Sequence, residues 1–297
     1  MYQEVIDLLE CPDCKKSLST TEIFKEGDEI IKGRVICECG KEWEIDSGVL
    51  NLGVDEQEDV NRWSEIIEKL GSFEKLNEMI KEKTPANQME LGKKSIYRII
   101  EEIKETKPRY ILDIATGRGR LLENLIDYLP TNAHLVCTDL SLFVLKQDRQ
   151  SIKKSHPKSK VSFIACDVKE LPFANRSFDT IVTFHGVTNM REVIPKALEE
   201  IKRVLKEGKE HKFLDISLLL KPDSESIKTL KEHYNERGVI GIEDFMTEKG
   251  IVKFHEKAGF SEIKMEKVGD SIARENELDL VPVEGDWFSI GIIYAIK

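Results

Sequence analysis

The chain has 297 residues, of which 40% are hydrophobic, and it carries a formal net charge of −10 with an isoelectric point near 5.3. This length fits one large domain with a small one, and the acidic balance argues against a general affinity for nucleic-acid backbones. No apolar run approaches the roughly 20 residues that cross a bilayer, and the first residues lack the basic and long apolar regions of a signal peptide. We therefore expect a soluble, cytoplasmic protein, without membrane insertion, whose cysteines are mostly reduced.

The first fifty residues hold two closely spaced cysteine pairs. Cys11 and Cys14 form a C-x-x-C pattern, and Cys37 and Cys39 follow as a shorter C-x-C pattern after a gap that contains glycines. Two such pairs on two tight turns provide the four thiolates of a tetrahedral Zn²⁺ site, and a segment this small needs the binding energy of the metal to fold. A redox pair or free structural cysteines remain as alternatives.

The segment 11–52 resembles the zinc-ribbon family of a small protein that activates tRNA and protein methyltransferases. The same ribbon is fused to many methyltransferases, and some rRNA guanine methyltransferases carry an N-terminal zinc module. Residues 1–53, however, hold twelve Asp and Glu residues against six Lys and Arg residues. Because this charge repels a phosphate backbone, we expect the ribbon to be a structural brace or a protein-docking module.

A polar linker and three helices are predicted after the ribbon. The acidic stretch Asp55–Asp59 predicts the linker, and apolar residues at helical spacing predict helices around Trp63–Leu70, Phe73–Ile80 and Ile96–Ile103. In methyltransferases such leading helices often form part of a lid over the substrate. The alternative is that they only cover one face of the sheet.

A strand, a tight loop and a helix are predicted over Tyr110–Leu129. Gly117 and Gly119 lie in the loop, where glycine permits a positive φ and close approach to a ligand. The start of the helix turns unpaired N–H groups towards this loop. Asp113 would repel a pyrophosphate but suit a cationic or amine-bearing ligand, and Leu122 stands where a dinucleotide fingerprint has its third glycine.

The stretch from Asp113 to Gly119 resembles motif I of the class I S-adenosylmethionine (SAM)-dependent methyltransferases. That motif reads approximately Asp/Glu-x-Gly-x-Gly-x-Gly, and Ala115 replaces its first glycine. The resemblance implies that this loop holds the methionine part of SAM. The next predicted strand, His134–Asp139, ends in a carboxylate that can accept hydrogen bonds from both ribose hydroxyls of an adenosine.

A third carboxylate, Asp167, follows the next predicted strand. The residues from Asp167 through Leu171-Pro172-Phe173 to Ser177-Phe178-Asp179 resemble a pattern of ubiquinone/menaquinone-type methyltransferases. In that family the first Asp accepts a hydrogen bond from the adenine amino group, and the resemblance implies that Val168 lies on the adenine ring.

The loop after the fourth predicted strand, Asp179–Phe184, is expected to face the transferred methyl group, since ligands of open α/β sheets lie beyond the carboxyl ends of the strands. His185 in this loop is a candidate general base, or a structural or cofactor-holding residue. The Asn/Asp-Pro-Pro-Tyr/Phe sequence of amino-directed DNA methyltransferases does not occur here, which argues against that substrate class.

Together these patterns predict an α/β protein. The resemblance implies that its main part is a Rossmann-like, seven-stranded class I methyltransferase sheet with helices on both faces, preceded by a small β zinc ribbon. The predicted boundaries are 1–53 for the ribbon, 54–90 for the linker and lid helices, and 91–297 for the methyltransferase domain. SAM and Zn²⁺ are the predicted cofactors. The candidate SAM-binding residues are Asp113, Ala115, Thr116, Gly117, Gly119, Asp139, Leu140, Asp167, Val168 and Phe184.

The function predicted from the sequence is SAM-dependent methyl transfer to a small-molecule acceptor, which the sequence does not name. One alternative is methylation of an rRNA or tRNA base with the ribbon docking the substrate. A second alternative is a non-catalytic SAM-binding module. A nucleotide-dependent oxidoreductase is disfavoured by Asp113 and by the missing third glycine.

Overall fold

The structure is a computed structural model that describes residues 1–54, 62–235, 241 and 243–297. The linker predicted at Asp55–Asp59 lies outside these residues. The helices are α1 (Gln3–Ile6), α2 (Arg62–Leu70), α3 (Phe73–Lys83), α4 (Ala86–Thr106), α5 (Arg120–Leu125), α6 (Leu142–Ser155), α7 (Gly186–Met190), α8 (Ile194–Val204), α9 (Glu225–Asn235), α10 (Glu243–Met246) and α11 (Glu248–Lys257). The strands are β1 (Ser19–Glu26), β2 (Glu29–Ile36), β3 (Glu42–Asp46), β4 (Val49–Asn51), β5 (Tyr110–Ile114), β6 (His134–Asp139), β7 (Val161–Ala165), β8 (Thr180–Phe184), β9 (Lys212–Leu220), β10 (Glu262–Ile272) and β11 (Trp287–Ile296).

Seven strands form the centre of the fold in the order β7-β6-β5-β8-β9-β11-β10. The first five are parallel, and β11 pairs antiparallel with both β9 and β10. The winding reverses between β5 and β8, so the carboxyl ends of these two strands flank the crevice where open α/β sheets bind ligands. The predicted α/β, Rossmann-like sheet is confirmed.

The ribbon strands extend this sheet instead of forming a separate one. Strand β4 pairs in parallel with β7, with Val49 opposite Phe163, and the Leu52 N–H donates to the Ala165 carbonyl at 2.9 Å. The sheet therefore runs unbroken from β1 to β10. This pairing gives the backbone groups along the edge of β7 the hydrogen-bond partners that a free sheet edge would lack.

Glu29 at the start of β2 adds a second connection between the ribbon and the large domain. Its carboxylate lies 2.9 Å from Arg149 Nη2 and 2.8 Å from Lys153 Nζ, both on α6. Burial would raise the pKa of this carboxyl, but Lys153, the Met1 amino group and Arg149 outweigh it and leave the pKa below its ordinary value of 4.5. The ribbon is thus held to α6 by a largely buried, ionised cluster.

The three predicted leading helices are present, but they divide into two groups. Helix α4 places Ile96, Ile99 and Ile103 in the main core. Helices α2 and α3 share a small apolar cluster of their own, formed by Ile67, Phe73, Leu76 and Ile80, against which Phe143 and Leu278 pack. We call α2 and α3 the lid pair. In the part of the chain that is described, no helix is long and apolar enough to cross a membrane.

Candidate functional site

The loop between β5 and α5 is built from left-handed backbone conformations. Ala115, Gly117 and Gly119 have φ values of 52°, 57° and 70°. A Cβ on Gly119 would lie 3.0 Å from the Asp148 carboxylate, so the loop packs closely against α6. Ala115 adopts the conformation for which glycine is favoured, and this explains why the resembling motif has glycine at its position.

Asp139 joins the end of β6 to this loop. One carboxylate oxygen accepts a hydrogen bond from the Gly117 N–H at 2.9 Å, and the other accepts one from the Ser141 N–H at 3.0 Å. Leu140 beside it is 45% exposed. The Thr116 N–H donates to the Thr138 carbonyl at 3.0 Å, so the end of β6 and the glycine loop are fixed relative to each other.

Asp113, at the end of β5, lies beneath the loop. Its side chain is buried, and neither carboxylate oxygen has a hydrogen-bond partner among the described residues. Burial raises the pKa of the Asp113 carboxyl to about 8, and the charge of Asp139 adds to this rise. A cationic ligand near the loop would favour the ionised form of Asp113.

Asp167 brings a third carboxylate to the same edge of the sheet. It caps the turn that contains Val168 by accepting from the Lys169 N–H at 2.8 Å, and its other oxygen pairs with Lys169 Nζ at 3.1 Å. The Cys166 N–H donates to the Asp139 carbonyl at 3.1 Å. The structure therefore brings the carboxyl ends of β5, β6 and β7 together, as the sequence predicts.

His185 follows Phe184 at the end of β8. It has a φ of 60°, its N–H donates to the Ile216 carbonyl at 2.8 Å, and its ring packs edge-on against Phe184 at 4.3 Å between centroids. Within the described residues its Nδ1 is buried without a partner. Burial lowers the pKa of His185 to about 3, with a contribution from Arg120. The imidazole is therefore neutral at physiological pH and a weak base.

Three residues that the sequence reasoning did not select also line this region. Arg118 lies over the Trp63 ring at 5.7 Å and donates to the Asn77 side chain at 3.3 Å. Arg120 lies over Phe184, and Asp148 is buried behind the loop. The sequence signal for the two arginines is that they alternate with the glycines at 117–120. Asp148 has no comparable local signal.

The four ribbon cysteines come together in the fold. All four Sγ atoms lie within 4.8 Å of one another, with Cys11 and Cys39 at 3.7 Å and Cys14 and Cys37 at 3.4 Å. Thiolates bound tetrahedrally at about 2.3 Å from Zn²⁺ would be about 3.8 Å apart. The short C-x-C pair is accommodated by a tight turn in which the Gly40 N–H donates to the Cys37 carbonyl at 3.0 Å. The donor set and its spacing therefore fit Zn²⁺.

Comparison with known proteins supports the methyltransferase prediction. Residues 111–208 match a family described as a methyltransferase domain. A demethylmenaquinone methyltransferase from Porphyromonas gingivalis is 32% identical over 120 residues, covering 40% of this chain and 49% of that protein. A 2-phytyl-1,4-naphtoquinone methyltransferase from Trichormus variabilis is 26% identical over 133 residues, covering 45% and 56%. The chain thus spans about half the length of these curated relatives.

Among solved structures, a SAM-dependent methyltransferase from Aquifex aeolicus is 18% identical to this chain, with a TM-score of 0.48. The alignment covers 74% of this chain and 98% of that protein, and at this level of similarity it carries no conclusion about function. The match over residues 111–208 covers the strands and loops that hold the glycine loop, Asp139, Asp167 and His185. The family match and the order of the strands around it identify residues 111–208 as part of a methyltransferase domain.

Proposed function

We propose that this protein transfers a methyl group from SAM to a small aromatic acceptor of the quinol class. The observation that carries the proposal is the set of three carboxylates, Asp113, Asp139 and Asp167, at the ends of three neighbouring parallel strands around a glycine loop. SAM supplies an activated methyl group on a sulfonium centre, and the protein supplies orientation and a site shielded from water.

Each part of SAM has a candidate partner in this arrangement. Asp139 holds the ribose, because a carboxylate at this strand end can accept from both hydroxyls. Asp167 accepts from the adenine amino group, with Val168 against the ring. The glycine loop and the buried Asp113 hold the methionine part of SAM. The ammonium group of that part brings a positive charge close to Asp113 and so favours the ionised form of its carboxyl.

The acceptor class rests on the relatives and on charge. The two relatives are named for demethylmenaquinone and for a phytyl naphthoquinone, so their names point to fused aromatic quinones. The net charge of −10 and the acidic ribbon weigh against nucleic acid. The low pKa of His185 works against its predicted role as general base, which remains a prediction.

The first experiment measures binding by calorimetry with S-adenosylhomocysteine, NAD and ATP. We expect heat only with S-adenosylhomocysteine, and Asp139→Ala should weaken that binding by about 10- to 100-fold, since hydrogen bonds to a charged group contribute roughly 1.5–3 kcal/mol. Asp127→Ala is the control, because this carboxylate is exposed and pairs with His156. Binding of NAD or ATP instead, or unchanged affinity in Asp139→Ala, would contradict the site assignment.

The second experiment tests the acceptor class. Radiolabelled SAM and reduced 1,4-naphthohydroquinone are incubated anaerobically with the protein, and the labelled product is identified by mass spectrometry. We expect a singly methylated naphthol product. Binding of S-adenosylhomocysteine without any labelled product would leave the domain assignment standing but count against the quinol class and in favour of a non-catalytic SAM-binding module.

We also propose that Cys11, Cys14, Cys37 and Cys39 hold one structural Zn²⁺ and that the ribbon braces the sheet. The Sγ spacing and the β4–β7 pairing support this role. Metal analysis of the purified protein should find one equivalent of zinc, which Cys14→Ser should abolish. A full complement of zinc in that variant would overturn the assignment.

A further inference from the structure

Arg120 is a largely buried cation without an acidic partner at the candidate site. Its guanidinium lies 4.7 Å from the Phe184 ring centroid. A Cβ on Gly92 of α4 would lie 2.5 Å from Arg120 Nη2, so the side chain is pressed against the backbone of that helix. Within the residues that the structure describes, its guanidinium makes no hydrogen bond or ion pair. Burying a cation without a partner costs free energy, which suggests that a bound anion neutralises the charge of Arg120.

Arg118, in the glycine loop two residues before Arg120, has the compensation that Arg120 at the start of α5 lacks. It donates to the Asn77 side chain, and Glu123, Asp148 and Asp279 are close enough to counteract the lowering of its pKa by burial. For Arg120, burial and the repulsion of Arg118 both lower the pKa, to about 10. Arg120 is nevertheless protonated at physiological pH and retains its full positive charge.

The neighbouring His185 does not provide an effective base. Arg120 contributes to its low pKa of about 3, and its buried Nδ1 has no partner among the described residues. An acceptor hydroxyl at the end of β8 would therefore need a different means of ionisation. A fixed positive charge in a site shielded from water lowers the pKa of an adjacent hydroxyl and stabilises the resulting anion.

We infer that Arg120 binds the ionised oxygen of the methyl acceptor, so that the acceptor reacts as a phenolate. This inference rests on the proposed function and adds the chemical form of its substrate. The hydroxyl proton passes to solvent, and the phenolate oxygen takes the position beside the guanidinium. A bond forms between a ring carbon and the methyl carbon, the methyl–sulfur bond breaks, and its electron pair stays on sulfur. The proton on that ring carbon then passes to solvent, which restores the aromatic ring as a phenolate.

The oxyanion that Arg120 attracts has a second source, the carboxylate of the methionine part of SAM. The contact of the guanidinium with Gly92 favours the acceptor, because α4 is one of the leading helices expected to cover the substrate. Its contact with Phe184, a candidate SAM-binding residue, is compatible with both sources. The backbone N–H groups of the glycine loop and of the first turn of α5 are the expected donors for the methionine end. The experiment separates the two sources.

The test uses 4-nitrophenol, whose ionised form absorbs visible light, titrated against pH with the protein, with and without saturating S-adenosylhomocysteine. We expect the wild-type protein to lower the apparent pKa of bound 4-nitrophenol by about one unit, a tenfold change in its ionisation constant. Arg120→Met should abolish this shift, and Arg120→Lys should restore part of it. Arg176→Met, which removes an exposed partner of Glu207, should leave the shift unchanged.

Calorimetry with S-adenosylhomocysteine on the same variants completes the test. We expect Arg120→Met to change this affinity by less than about threefold. A tenfold or greater loss with an unaltered nitrophenol pKa would assign Arg120 to the methionine carboxylate. A shift that persists in Arg120→Met, or no shift in the wild-type protein, would also overturn the inference. Failure of the wild-type protein to bind S-adenosylhomocysteine would instead count against the proposed function.

Discussion

The ribbon and the lid pair both precede the methyltransferase domain in the chain, but they are attached to it in different ways. The ribbon joins through a backbone ladder between β4 and β7 and through Glu29, which pairs with Arg149 and Lys153. The lid pair has its own apolar cluster and reaches the domain through side chains, such as Arg118 against Trp63. Backbone pairing fixes a register, whereas side-chain contacts can be broken one at a time.

This difference suggests different roles for the two regions. The ribbon supports β7, which leads into Asp167 on the expected adenine side of the site. The lid pair contacts the glycine loop through Arg118. We therefore expect the ribbon to be a permanent part of the scaffold and the lid pair to open locally at lower cost, since regions with few buried contacts open most readily.

The largest effect is expected from loss of the metal. Cys14→Ser, or removal of zinc by a chelator, should lower the free energy of unfolding by roughly 3–5 kcal/mol, because the ribbon depends on its metal. Hydrogen exchange should then rise in β1–β4 and in β7, with little change in the lid pair. Glu38→Gln is the control, since this exposed residue lies between two of the cysteines and pairs with Lys16 on the surface. Unaltered exchange in β7 would show that the ribbon does not brace the sheet.

The ionic connection between the ribbon and α6 should contribute less. Glu29→Gln should destabilise the protein by roughly 2 kcal/mol at neutral pH, since it leaves Arg149 and Lys153 without their carboxylate. The pKa of Glu29 is lowered in the folded protein, so its contribution is present above pH 4.5 and is lost as the pH falls below that value. Urea unfolding at pH 7 and pH 3.5 measures this. The difference between the variant and the wild-type protein should be smaller at pH 3.5 than at pH 7, and an equal difference at both values would refute the assignment.

A smaller effect is expected at the lid. Arg118→Ala removes the contact with the Trp63 ring and the hydrogen bond to Asn77, which together contribute about 1 kcal/mol. Hydrogen exchange in α2 and α3 should accelerate by roughly fivefold while exchange in β1–β4 stays the same. Lys75→Ala, an exposed change on α3, should have no such effect. Equal acceleration in the ribbon would mean that the two regions do not open separately.

The smallest effect concerns the glycine loop between β5 and α5. Ala115 has a φ of 52°, which costs a non-glycine residue about 1 kcal/mol. Ala115→Gly removes this strain but makes the unfolded chain more flexible, so we expect a net gain of only a few tenths of a kcal/mol. Ala197→Gly within α8 should instead cost about 1 kcal/mol. Thermal unfolding of both variants compares them, and a loss of stability in Ala115→Gly would contradict the strain at this position.

Much of the site could be predicted because its signals are local. The strand ends at Asp113, Asp139 and Asp167 were predicted from apolar runs that each have an aspartate at or next to their carboxyl end. The structure brings these three strand ends together. The cysteine cluster followed from two short spacings. The pKa of His185 could not be predicted, since it depends on burial and on Arg120, which is 65 residues away in the sequence.

The sequence by itself determined the order of strands and helices, the glycine loop and the thiolate set, because periodicity, turn residues and ligand spacing act over a few residues. Only the tertiary structure decided that the ribbon would continue the sheet through β4 and β7, and that Arg118 would be compensated while Arg120 would not. Edge pairing and charge compensation depend on which groups meet in space, and groups distant in the sequence supply most of those contacts.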